Sequence, residues 1–317
     1  MPINTEIEQF RTRFQKQLES YVLRRLSNAA VNHRDAKKLM RIVAKLVLGP
    51  GKRMRPFLTY RTAKRFGVTA RSCMPVCIAL ELFHDFALIH DDIMDRSEKR
   101  RGKQTVHELY KDEHRKKDWK GSAEHYGTSC ALLAGDLLFA WSEQSFAALN
   151  SKYDSLKLRQ AWDTLKEEVI LGQTLDVTSS VLPHFISRKQ VLEIQALKSG
   201  RYSIGRPMLI GYALAQASVS EASIMQATEP LGIAFQIQDD ILSTFGSPKV
   251  TGKTKDADLK EGKLNILTLE ARHRLPDDKA RVVWNRTFGN PNATTKELDV
   301  LRQLIRDSGA LNYVEIL

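Results

Sequence analysis

Two short runs of aspartate stand at the ends of apolar stretches. "ELFHDFALIHDDIMD" delivers Asp91, Asp92 and Asp95, and "AFQIQDDILSTFG" delivers Asp239 and Asp240, about 150 residues further on. In a helix, Asp91 and Asp95 lie at i and i+4 on one face, where like charges cost about 0.2–0.5 kcal/mol. A divalent cation offsets that repulsion. Mg²⁺ takes oxygen ligands, keeps several waters and is commonly shared between carboxylates and substrate phosphates. Two aspartate-bearing helices therefore suggest a bundle with facing carboxylates, binding a metal together with a diphosphate.

The basic residues supply the other half of such a site. "GPGKRMRP" sets Lys52, Arg53 and Arg55 in a glycine-bounded turn ahead of a helix, and "KRRGKQTVH" sets Arg100 and Arg101 just beyond the first aspartates. Lys198 precedes "SGRY", Lys253 closes "VTGK", and Lys263 closes "DLKEGK". Arginine grips phosphate bidentately and lysine acts as a movable point charge. Any one of these taken alone reads as a surface charge. His84, taken alone, reads as a satisfied core histidine, but it lies seven residues before Asp91, two helical turns along the same face.

Composition excludes other classes. The chain has 317 residues, 42% hydrophobic content and a formal charge of +12. Part of that charge is local, with ten Lys/Arg against five Asp/Glu from Arg96 to Lys120. The basic residues are mixed with acids and carry no aromatic platform or groove-reading motif, so nucleic acid is not the expected partner. Cys73, Cys77 and Cys130 are odd in number and form no CxxC, which argues against disulfides or zinc. The N-terminus has no apolar core like that of a signal peptide. No apolar run is read as a membrane span, and the expected location is the cytoplasm.

The elements that must position these residues are helical. Apolar periodicity predicts helices at 5–28, 34–47, 55–66, 71–94, 123–150, 154–178, 187–197, 200–216, 219–243, 263–273, 277–287 and 294–306. Strand-like alternation is missing. Gly and Pro punctuate between segments, as in "GPGKR" and "FGNPN". Arg96–Ser122, helical in part, and Gly246–Gly262 read as long functional loops, each directly after an aspartate motif. No linker composition divides the chain, so the expectation is one all-α domain over 1–317 with its site among helix ends.

Taken in order, "GKRMRP", "HDDIMD", "RRGKQTVH", "AGDLLF", "GQTLD", "KSGRY", "FQIQDD" and "GK…EGK" resemble the trans-type polyprenyl diphosphate synthase family. The likeness runs from about Gly49 to Glu270, with a familiar ending at Ser308–Glu315. It implies an isoprenoid-synthase helical bundle with the active site in a central cavity, a homodimer, and three Mg²⁺ per site. It implies that Asp91 and Asp95, supported by Asp92, hold Mg²⁺ against an allylic diphosphate, and that Asp239 adds a ligand with Asp240 behind it. Arg100, Lys198, Lys253 and Lys263 match residues gripping the allylic diphosphate. Lys52, Arg55, His84 and Arg101 match those holding isopentenyl diphosphate, and Phe235 and Gln236 those lining its hydrocarbon end. Gln173 and Asp176 match the pair beside the reacting centre. The Lys198 carbonyl, the Ser199 hydroxyl and Gln236 match groups that stabilise the allylic cation. Ser243 stands where the second motif often ends in aspartate.

Product length is read from the residues preceding Asp91. A lone Phe86 five back, with Ala87 four back and Phe83 one turn deeper, resembles synthases reaching geranylgeranyl (C20). Farnesyl (C15) and C25 products are the nearest alternatives. A class I terpene cyclase shares the metal chemistry but would not need Lys52, Arg55, His84 and Arg101.

Overall fold

The computed structural model describes residues 3–29, 31–181, 186–246 and 256–316, without the Ala257 side chain. The helices are α1 (Ile3–Ser27), α2 (Arg34–Val47), α3 (Met54–Arg65), α4 (Ala70–Met94), α5 (Val106–Lys116), α6 (Ala123–Ala147), α7 (Leu156–Val181), α8 (Arg188–Gln195), α9 (Arg206–Leu214) and α10 (Glu221–Phe245), followed by α11 (Ala257–Glu261), α12 (Ile266–His273), α13 (Asp278–Thr287), α14 (Thr295–Asp307) and α15 (Ala310–Ile316). Ala196–Gly205, between α8 and α9, winds as a π-helix. Between α4 and α5 lies a small hairpin of β1 (Lys99–Arg100) and β2 (Lys103–Gln104).

Most boundaries follow from local chemistry. Ser187 with Gln190, Asn265 with Thr268, and Thr294 with Glu297 form capping boxes that start α8, α12 and α14. The helical part of Arg96–Ser122 is α5, which buries Val106, His107, Tyr110 and His114 on one face. Four features differ from the sequence reading, one being α11 inside the expected Gly246–Gly262 loop. The strand pair falls within Arg96–Ser122. Its turn residues Arg101 and Gly102 take φ of 52° and 73°, the paired positive values of a tight two-residue hairpin turn. The expected break near Ser199 is bridged by the π segment, and α15 adds a last short helix.

The residues group into two compact units. The first contains Met1–Glu98, Gln104–Ala161 and Pro207–Val219. At its centre is α4, apolar around most of its circumference and so buried on most sides. Ser145 Oγ on α6 donates to Pro75 O at 2.8 Å, and Cys77 Sγ donates to Pro56 O at 3.4 Å, tying α4 to its neighbours. Phe10 stacks on Phe14 and Tyr60 and meets Phe57 edge-on, joining α1 to α3. Cys73 and Cys77 are fully buried core thiols. By length and composition α4 could cross a membrane, contrary to the sequence reading, but 67% of its apolar window is buried in the protein, which makes it a core helix.

The second unit contains Lys99–Lys103, Trp162–Arg206 and Ser220–Leu317. Its core runs through α12–α15, with Leu267, Leu298, Leu301, Ile305 and Ala310 fully buried. Arg206 is held by Glu168 at 2.6 and 2.7 Å and by Glu221 at 2.5 Å, fixing the exit of the π segment. Arg302 is 4% exposed and donates to Thr244 O at 2.7 Å, which fastens the end of α10 to α14.

Candidate active site

In the first unit, α4 carries the aspartates on its last turn. The Thr69 hydroxyl accepts from Ser72 N–H and starts the helix. At the other end Asp95 N–H donates to Asp91 O at 2.8 Å, Ser97 N–H to Asp92 O at 2.9 Å and Arg96 N–H to Ile93 O at 3.2 Å. Arg96 has φ 49°, so the chain leaves the helix through a left-handed residue that saturates the last carbonyls. Asp92 is buried, and Asp91 and Asp95 are half-buried. Three carboxylates at the negative end of a helix make a strongly cation-attracting locus.

The basic loop before α3 divides its cations by burial. Lys52 is exposed, Arg55 half-buried and Arg53 buried. Arg55 Nη1 lies 3.3 Å from His84 Nε2, so these two sequence candidates meet. Arg53, which the resemblance gave no place at a diphosphate, is paired with Glu81 of α4. The first turn of α3 has no acidic residue and no side-chain cap, leaving its positive end beside Lys52 and Arg55. Arg100 lies on β1 and Arg101 in the turn that follows.

The chain-length candidates sit in an aromatic cluster of this same unit. Phe83 and Phe86 have ring centroids 5.4 Å apart, and Phe86 meets His90 at 4.7 Å. Phe139 of α6 closes the cluster, 5.2 Å from Phe86 and 6.1 Å from Phe83. Phe139 was not among the chain-length candidates, which all lie on α4. Only its apolar position in "AGDLLF" hinted at it. Ala87, one residue on from Phe86, is half-buried.

In the second unit, Lys198 Nζ donates to Asp176 Oδ2 at 2.6 Å, joining the "GQTLD" and "KSGRY" motifs. Gly172 permits this, because a Cβ there would stand 2.8 Å from Lys198 N. Ser199 and Lys198 lie on the π segment, a distortion often found at functional positions. Gly200 and Gly232 cross so closely that a Cβ on Gly232 would lie 2.6 Å from the Gly200 carbonyl carbon. That crossing sets the π segment against the α10 turn bearing Phe235 and Gln236. Gln173 is half-buried on α7 and Phe235 is exposed.

The second aspartate pair divides its roles. Asp239 is exposed, whereas Asp240 is buried and accepts from Gln236 Nε2 at 2.8 Å and Gln195 Nε2 at 2.6 Å. Burial pushes the Asp240 carboxyl up to about 7, with help from Asp258 and Asp239 against the two amide donors. Gln195 was not among the sequence candidates. Ser243 turns its hydroxyl back to Asp240 O at 3.0 Å, so it bonds its own helix. Lys263 lies 3.5 Å from Glu261 and 4.0 Å from Asp258. Lys253 falls outside the described residues. Among the described residues, no group of three or more His, Cys, Asp or Glu side chains forms a ready metal site.

The model of the polyprenyl synthetase family matches residues 36–305. The chain is 31% identical to a short chain isoprenyl diphosphate synthase of Methanocaldococcus jannaschii over 278 residues, covering 86% of this chain and 77% of the relative. It is 34% identical to a geranylfarnesyl diphosphate synthase of Aeropyrum pernix over 290 residues, covering 85% and 80%. Among solved structures, a geranylgeranyl pyrophosphate synthase from Corynebacterium glutamicum, complexed with isoprenyl diphosphate and magnesium, superposes with a TM-score of 0.91. That match covers 98% of this chain and 89% of the other at 28% identity. With the aspartate and basic motifs inside the matched span, and the all-α architecture reproduced over almost the whole length, the chain belongs to the polyprenyl synthetase family.

Proposed function

We propose that the protein joins isopentenyl diphosphate to an allylic diphosphate and that its product is geranylgeranyl diphosphate. Prenyl transfer rests on the family. The C20 product rests on Phe86 preceding Ala87, with Phe83 and Phe139 packed behind it. The relative from Aeropyrum pernix makes C25 the second reading. Counted along α4, Phe86 lies five residues before Asp91, about 7.5 Å below it. The growing hydrocarbon then runs down α4 until it meets that ring.

The observation that carries the transferase reading over the cyclase is the Arg55–His84 contact, seven residues along α4 from the aspartates. Lys52, Arg55, His84 and Arg101 hold the isopentenyl diphosphate, and Arg100, Lys198 and Lys263 hold the allylic one. Asp91, Asp92 and Asp95, with Asp239 and Asp240 as a second group, offer the all-oxygen donor set that magnesium takes. When bound, magnesium would neutralise the departing diphosphate. The Lys198 carbonyl, Ser199 and Gln236 stabilise the allylic cation, while Lys198 is positioned by Asp176. Gln173 lies one helical turn before Asp176. Exposed Leu132 and Leu133 on α6 suit a homodimer contact.

The test is incubation with isopentenyl diphosphate and farnesyl diphosphate, with and without Mg²⁺, followed by chromatography of the product. The expected result is magnesium-dependent C20 diphosphate, and a loss of orders of magnitude in turnover for Asp91→Ala or Asp239→Ala. Full activity in excess chelator would refute the metal assignment, and a cyclised hydrocarbon would refute the transferase.

A further inference from the structure

Among the cations of "GKRMRP", Arg53 is set apart by its geometry. It is 5% exposed, and its backbone is left-handed, φ 52° and ψ 34°, at the N-cap of α3. A side chain with a Cβ rarely occupies that region unless its surroundings fix it there. A cation at the positive end of a helix is also opposed by the helix dipole. The guanidinium is correspondingly well held. It pairs with Glu81 and donates to Val47 O at 2.9 Å, Gly49 O at 2.6 Å and Gln15 Oε1 at 3.3 Å.

Those partners are spread over three helices and the loop itself. Val47 ends α2, Gly49 lies in the loop, Gln15 is on α1 and Glu81 is on α4. α1 adds two direct bonds, from Arg11 Nε to Lys52 O at 3.1 Å and from Gln15 Nε2 to Leu48 O at 3.2 Å. Glu81 is three residues before His84, so one face of α4 holds Arg53 through Glu81 and meets Arg55 through His84. The left-handed turn sends Arg53 inward between an exposed Lys52 and an exposed Met54. A buried ion pair seldom stabilises more than an apolar pair of equal volume. What the fork of Arg53 gives that an apolar pair cannot is a fixed direction for the loop's carbonyls.

We propose that Arg53 is a positioning residue for isopentenyl diphosphate, whose pairing with Glu81 holds Lys52 and Arg55 in diphosphate-binding geometry without touching the substrate. The inference rests on the prenyl-transfer reading above. Arg53→Lys keeps the charge and loses the fork, and Arg53→Met with Glu81→Leu replaces the pair by apolar volume. Steady-state kinetics, varying each diphosphate in turn, is compared with thermal midpoints. Both variants should raise KM for isopentenyl diphosphate about tenfold or more and leave KM for the allylic diphosphate within about twofold. In the folded double variant the rise should be confined to isopentenyl diphosphate, even though losing the donor to Val47 O and Gly49 O lowers the thermal midpoint, and a purely structural role would not produce that split. An unchanged isopentenyl KM in the folded double variant overturns the inference, as does an equal rise in both KM values. A wild-type protein that neither binds nor consumes isopentenyl diphosphate overturns the inference and the underlying function together.

Discussion

Replacing Gly232 by alanine tests whether the close crossing of the π segment and α10 sets the catalytic geometry. The new Cβ would stand 2.6 Å from the carbonyl carbon of Gly200, with the Cα and oxygen of Gly200 closer still. Ordinary carbon contacts need about 3.4 Å or more, so the π segment and α10 must separate by about 0.8 Å to clear the carbonyl carbon and by about 1 Å to clear the Cα. The opposing atoms are backbone and cannot rotate away. Overpacking of this kind costs about 3 kcal/mol at the upper end of its usual range. Alanine recovers about 1 kcal/mol in helix propensity, which leaves a net loss of about 2 kcal/mol. At about 2 °C per kcal/mol for a large chain, the thermal midpoint should fall by about 4 °C. The same displacement moves Lys198 and Ser199 relative to Gln236, and a misplacement near 1 Å can cost a factor of about 100 in rate. We expect kcat to fall by about 10- to 100-fold. Gly200→Ala is the internal control, since its Cβ would meet nothing nearer than 3.3 Å. Its neighbours are backbone too but need give only by about 0.1 Å, so both quantities should fall far less than in Gly232→Ala. Equal effects of the two substitutions, by differential scanning fluorimetry and initial rates, would refute the reasoning.

Phe139→Ala should lengthen the product as Phe86→Ala does, because the two rings lie 5.2 Å apart and support each other; Ala87→Phe should shorten it. An unchanged product distribution from the Phe139 variant by chromatography would place the floor elsewhere. Asp240 should make metal-free stability depend on pH. Its folded carboxyl titrates at about 7 against 3.8 in the free side chain, so the folded state binds the extra proton between those values. Its contribution is complete below about pH 4 and is lost as pH rises through about 7. Denaturation in chelator should therefore show falling stability across that window, and Asp240→Asn should flatten the fall. An Asp240→Asn profile that tracks wild type would show that other groups control it.

The helices were legible because their signals are local. "SRKQ", "NILT" and "TTKE" contain their own caps, and the alternating faces of α2 and α14 are plain in the amino-acid order. α5 was harder to read because "HELYKDEHRKK" hides a buried stripe of His107, Tyr110 and His114 among charges. The π segment was read as a break because Ser199–Gly200 looks like punctuation. Its glycine serves instead to admit Gly232, a partner 32 positions away that no window of sequence contains. The same limit applies to charge. Lys52, Arg53 and Arg55 are alike as residue types, and only the fold reveals that Glu81 takes the middle one. Gln195 and Phe139 were missed for this reason, since each acts through a neighbour brought close by packing.

The π segment has a consequence for chain length tolerance. An α-helix turns about 100° per residue, and a π stretch takes up extra residues without breaking the rod. Gln195, just before it, faces Asp240, and Arg206, just after it, faces Glu168 and Glu221. Those two anchors are in phase only because the intervening residues are overcounted for an α-helix. If the same residues between Gln195 and Arg206 wound as an ordinary α-helix, each would turn further than in the wider π winding, and one anchor would rotate out of phase with the other. The segment therefore behaves as a counted spacer, in which the number of residues is constrained independently of their identities.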